Sequence, residues 1–164
     1  MPRPKIFWSC LALLVTAFLA VIARAEHFDI ALTVEGDGKK AEAYSDDSPP
    51  PEGLHARPVF YAKAGELLTL QFLMDYVNPH DLDKQVTVRF FVVSEKQAGQ
   101  KEVPSPDETA IVQGSFVMDF KPKSRLGLTQ KFRVDRAGVY LLRLESVNSH
   151  SDHQHFSAID LVIE

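Results

Sequence analysis

The residues best placed to do chemistry are histidines. Three of the six fall within six positions, His150-Ser-Asp152-His153-Gln-His155. Neutral imidazoles bind Cu²⁺, Zn²⁺ and Ni²⁺, and several close together can chelate one ion. His153 and His155 are two apart, so on an extended chain they project from the same face. The candidate metal ligands are therefore His150, Asp152, His153 and His155. His80 joins them from a second polar stretch, Asn78 to Lys84 (NPHDLDK), where Asp81 and Asp83 lie beside it. Copper or zinc would be the ion. The competing reading is a solvated polar turn whose histidines bond to neighbouring carboxylates or to a sheet edge. No established zinc spacing is matched, and no thiolate is at hand.

Other chemistries find less support. Cys10 is the only cysteine, so a blue-copper centre lacks its sulfur ligand. A copper site built on a free amino terminus would need His27 as the first residue of the mature chain. Met74 and Met118 alternate with Leu and Phe and are expected as core filling. Asp81-x-Asp83 lacks the glycine and later glutamate of the twelve-residue calcium loop. Ser146, Ser149, Ser151 and Ser157 lie near histidines, but no Gly-x-Ser-x-Gly elbow is present. Nor is there a glycine-rich phosphate loop or a carboxylate pair suited to glycoside cleavage. The residues predict a protein that is not an enzyme.

The amino-terminal stretch sets the compartment. Arg3 and Lys5 precede an uncharged run, Leu11 to Ile22, and Ala23-Arg24-Ala25 has the small-x-small form of a signal-peptidase site. The run is short for a membrane span, which needs about 20 apolar residues. Residues 1–25 are read as a cleaved signal peptide and 26–164 as a single domain, exported to a periplasm or secreted, with no stable membrane insertion after cleavage. Removing Arg3, Lys5 and Arg24 leaves 15 basic against 22 acidic residues, a net charge of −7. That balance argues against nucleic acid as a partner.

The elements that must position the histidines are strands. His27 to Glu35 alternates Phe28, Ile30, Leu32 and Val34 against polar or small residues, the period-two pattern of a half-buried strand. Gly36-Asp37-Gly38 is a turn, returning through Lys40 to Tyr44. Ser45 to Pro58 holds four prolines and reads as a surface crossing. Val59–Ala62, Glu66–Val77, Gln85–Ser94, Ala110–Phe120, Leu126–Val134, Val139–Val147 and Phe156–Ile163 complete the set. Leu126, Leu128, Phe132 and Val134 are expected inward. Gln85–Ser94 is apolar on both faces and therefore expected at a sheet centre. Gly114 is expected at a β-bulge. No sustained helical stripe and no repeat interrupts the series. The reading is an all-β, antiparallel sandwich of about seven to nine strands.

Asp135-Arg-Ala-Gly-Val-Tyr140 resembles the tyrosine corner of immunoglobulin-like domains, with one additional residue between the Asp and the Tyr. The paired cysteines and the strand-C tryptophan of antibody domains are absent. Residues 26–164 resemble the small exported bacterial immunoglobulin-like and fibronectin-type-III-like sandwiches, including a His-rich turn that runs into His155-Phe-x-Ala-x-Asp160-Leu-Val. The resemblance implies a fold and brings no activity with it. It further implies that the 148–155 connection, the 78–84 connection and the chain start at Glu26 and His27 share one end, gathering five histidines at one rim. The functional expectation is an exported, non-catalytic binding or envelope-associated module with a protein or glycan partner. The alternative is a periplasmic copper- or zinc-binding protein using that rim.

Overall fold

A computed structural model describes residues 28–44, 57–76, 85–119, 124–147 and 155–164. The expected signal peptide and four of the five candidate ligands lie outside these. Among the described residues no helix is long and apolar enough to cross a membrane.

Among the described residues nine strands form: β1 (Phe28–Gly36), β2 (Lys39–Tyr44), β3 (Val59–Ala62), β4 (Leu68–Tyr76), β5 (Gln85–Glu95), β6 (Ala110–Asp119), β7 (Arg125–Phe132), β8 (Gly138–Val147) and β9 (Phe156–Ile163). A single helical turn, α1 (Pro106–Thr109), precedes β6. One sheet has the order β2-β1-β4-β7 and the other β3-β9-β8-β5-β6. All pairs are antiparallel except β3 with β9. The neighbours β1-β4-β7 and β9-β8-β5-β6 reproduce the A-B-E and G-F-C-C′ arrangement of immunoglobulin-like sandwiches. The expected fold class is the observed one.

Period-two alternation explains which face each strand buries. Along β4, Leu68, Leu70, Phe72, Met74 and Tyr76 are buried, while Gln71 and Leu73 face solvent. β1 buries Phe28, Ile30, Leu32 and Val34 beside them, and β5, β8 and β9 supply Val86, Val88, Val92, Leu142, Leu144, Ile159 and Leu161 from the facing sheet. The rings of Phe72 and Phe116 stack across the gap, with centroids 5.6 Å apart. β5 lies between β6 and β8, and it is apolar on both faces because its inner face meets the core while Val103 and Ala110 pack on its outer one.

One local expectation changes. Gly114 is not at a bulge: it pairs in register with Phe90, and the irregularity lies where Val92 faces Val112 and Val93 faces Ala110, leaving Ile111 as the additional residue. A Cβ at Gly114 would sit 2.5 Å from the Phe90 ring, so this glycine makes room for an aromatic ring. Leu128 faces inward, opposite the buried Phe72, but its strand is a sheet edge, so the side chain is only partly covered.

The tyrosine corner is present as a bond. The Tyr140 hydroxyl donates to the Arg136 carbonyl at 2.8 Å while its ring is buried. It fixes the turn that carries the chain from the β7 sheet into β8. Replacing Tyr140→Phe should cost about 1–2 kcal/mol, the net value of one such bond plus the stranded carbonyl. Gly114→Ala should cost about 1–3 kcal/mol through the clash with Phe90. Urea unfolding of both variants measures these losses.

Candidate functional site

The strand registers bring one set of strand ends together. Phe28 pairs with Tyr76, Asp75 with Arg125, Gln85 with Asp119, Thr87 with Val147, and Glu145 with Phe156. The strand ends that flank 77–84, 120–123 and 148–154 therefore lie at one end of the sandwich, where β1 also begins. β5 and β8 are adjacent, so the stretch holding His80 and the stretch holding His150, Asp152 and His153 are rooted side by side.

His155 is the one candidate ligand among the described residues. It caps the core at this end, with its side chain fully buried. Its ring meets Phe28 edge-on, with centroids 5.6 Å apart, and Phe28 in turn stacks on Tyr76 at 5.4 Å. The His155 amide donates to Ser146 Oγ at 3.3 Å, and the Ser146 amide donates to the His155 carbonyl at 2.9 Å. This imidazole is a packed part of the floor beneath the loops, with parity shared by Ser157, Ile159 and Leu161. His80, His150, Asp152 and His153 lie outside the described residues. Among the described residues no group of three or more His, Cys, Asp or Glu could hold a metal ion.

A second cluster sits on the outer face of the β3-β9-β8-β5-β6 sheet, away from that end. Arg57, the last basic residue of the proline-rich crossing, places Nη2 2.8 Å from Glu95 Oε2 and Nε 2.8 Å from Asp160 Oδ1. The Gly99 amide donates to Asp160 Oδ2 at 2.7 Å. The carboxylates are almost fully enclosed and the guanidinium nearly so, at 0%, 1% and 14% side-chain exposure. Nearby, Glu145 receives both Arg89 and Arg143, and the Arg143 guanidinium lies 4.0 Å from the Phe156 ring centroid. Phe91, Val93 and Leu141 form a small apolar cluster on this face, with Val103, Ala110 and Ala158 against it.

Sequence reasoning does not single out these charges. The available signal is their parity: Arg89 alternates with Phe91 and Val93, and Asp160 with Ala158 and Val162, on strands apolar on both faces. A charge on such a face is buried if anything covers it, and residues 96–110 do.

Burial pushes the Glu95 carboxyl above the ordinary carboxylate range. Arg57 opposes the rise, and the charge of Asp160 adds to it. Burial likewise raises Asp160 against the pull of Arg57 and of the Gly99 amide. One cation therefore serves two enclosed anions, and Glu95 Oε1 has no hydrogen-bond partner among the described residues. The arrangement clamps β3 and the end of the crossing onto β5 and β9. It holds no nucleophile and no open position for a substrate.

No family model matches the chain and no curated protein matches its sequence. Two solved structures are similar to it at low identity. One is the CARDB domain of a Pyrococcus furiosus protein, solved in complex with di-metal ions. It has 10% identity, a TM-score of 0.44, and coverage of 85% of this chain and 97% of that one. The other is the soluble domain of PmoD from a Methylocystis species. It has 12% identity, a TM-score of 0.41, and coverage of 82% and 90%. At these scores neither lends its ligand or its activity to this chain.

Raised carboxyl pKa values mean that the folded state keeps protons the unfolded chain releases. Between about pH 4, where unfolded carboxylates titrate, and the raised values, this cluster's contribution to stability falls as pH rises. The exposed Asp75, lowered by its bond to Arg125, acts below that window. Stability from urea unfolding should therefore be higher near about pH 5 than near about pH 7 on this account, and Glu95→Gln should flatten the difference. Arg57→Met should cost roughly 3–5 kcal/mol at neutral pH, because it strands two buried carboxylates.

Proposed function

We propose that this chain is an exported, non-catalytic β-sandwich module that holds a protein or glycan partner at the end bearing residues 77–84, 120–123 and 148–154. The observation that carries the reading is the convergence of those three strand-end pairs, with the start of β1, over one rigid floor of Phe28, Tyr76, Ser146 and His155. Connections held on a rigid scaffold are where sandwiches place binding surfaces. The expected signal peptide supports export, to a periplasm or beyond the cell.

A second reading is copper or zinc binding by His80, His150, Asp152 and His153. The pairing of Thr87 with Val147 favours it, because that pairing roots the two His-bearing stretches on adjacent strands. His155 belongs to the floor in this reading and is no longer counted as a ligand.

The test compares the protein with a His80→Ala, His150→Ala, Asp152→Ala, His153→Ala variant. Binding to cell-envelope extracts and glycan arrays should be lost in the variant while its melting temperature is unchanged. Retained binding would move the surface elsewhere. Melts with EDTA, then with Cu²⁺, Zn²⁺, Ni²⁺ or Ca²⁺ singly, separate the readings. A rise with one ion that the variant lacks assigns a metal site, since a ligand bound only by the folded state stabilises it. No rise with any ion leaves partner binding as the function.

A further inference from the structure

The two sheets have four edge strands, and three of them carry features that discourage pairing. β2 presents Lys39, Lys40 and Glu42, and β7 presents Arg125 and Lys131. β3 is only four residues long. Charges and short edges are the usual protections against strand addition. β6 has neither. It is ten residues long, Ala110 to Met118 contains no charge and no proline, and among the described residues only β5 pairs with it.

Its side chains add to the point. Ile111 and Val117 point outward at 51% and 61% exposure, while Val112, Phe116 and Met118 pack against the core from the inner face. The irregularity at Ile111 lies at the start of the strand and leaves Val112 to Met118 in a regular ladder with β5. A free backbone edge flanked by exposed aliphatic residues is a template for another strand.

The sequence of β6 is matched to its own reversal about Gly114. In an antiparallel pair, residues equidistant from the axis face each other on the same side of the sheet. Gln113 then meets Ser115 and Val112 meets Phe116, so polar faces polar and apolar faces apolar. Gly114 meets Gly114 with no side chain to collide. No like charges are opposed, which would otherwise disfavour a two-fold contact.

We propose that the free edge of β6 pairs antiparallel with β6 of a second copy about Gly114, joining the two five-stranded sheets into one. The outer face would gain an apolar row from Ile111 and Val117 of both copies. An edge-to-edge contact is small, so the dimer is a reversible one that forms with concentration.

Sedimentation of the purified protein over an about hundredfold concentration range tests this by mass action. The average mass should rise toward twice the monomer. Val117→Lys should remove the rise without loss of melting temperature, because the side chain lies in solvent, and Leu73→Lys on the opposite sheet should leave the rise intact. Register is checked in a Cys10→Ser background. Gln113→Cys with Ser115→Cys should oxidise to a reducible dimer, and Ile111→Cys with Ser115→Cys should not. A monomer at every concentration, or a Val117→Lys protein that associates like the wild type, overturns the proposal. So does a mass rise with equal cross-linking of both cysteine pairs, which would deny the register.

Discussion

The structure depends on burying one alternating face of each sheet against the other. The only cysteine, Cys10, precedes every described strand, so no disulfide joins the sheets. The weight falls on side chains such as Phe28, Leu32, Leu70, Phe72, Met74, Val88, Leu142 and Ile159, all essentially inaccessible to water. Burying a large apolar side chain stabilises by about 1.5–3 kcal/mol relative to leaving it exposed. A core of this extent lets a domain of this size do without cross-links. The same requirement explains the glycine at 114, where Phe90 takes the space a side chain would need.

The larger sheet has two working faces. Its inner face completes the core, and its outer face carries a second apolar cluster together with Arg57, Arg89, Arg143, Glu95, Glu145 and Asp160. Buried ion pairs contribute little net stability, because desolvating both partners offsets most of their attraction. Their effect here is positional. Arg57 fixes where the proline-rich crossing meets the sheet, which sets the parallel pairing of β3 with β9. Glu145, between two arginines, ties β5 to β8 at the register Arg89 opposite Glu145. The two ends of the sandwich consequently differ in kind. One has an aromatic and histidine floor of Phe28, Tyr76 and His155, and the other has the tyrosine corner and the origin of residues 96–109, which fold back over the outer face.

Much of the fold can be read from local pattern, because period two is written in consecutive residues. The alternation in Phe28–Val34 and in Leu68–Tyr76 predicts both the strands and the faces they bury. The two-sided apolarity of Gln85–Ser94 predicts a central place. Asp135 to Tyr140 predicts a corner that the Tyr140 bond to Arg136 realises. Pattern misleads where pairing partners decide the outcome. Leu128 follows the inward parity yet lies on an edge strand, and Gly114 reads as a bulge until Phe90 is set opposite it.

The sequence by itself determined the strand series, the inward faces, the absence of cysteine chemistry and the polar character of the connections. These follow from residues next to or near one another along the chain. Only the tertiary structure decided that His155 is buried, that β6 is an edge with only β5 beside it among the described residues, and that Arg57 meets Glu95 38 positions away and Asp160 farther still. Those outcomes depend on sheet order and on what covers each face. Sheet order and cover arise from packing between distant segments, which no local periodicity encodes.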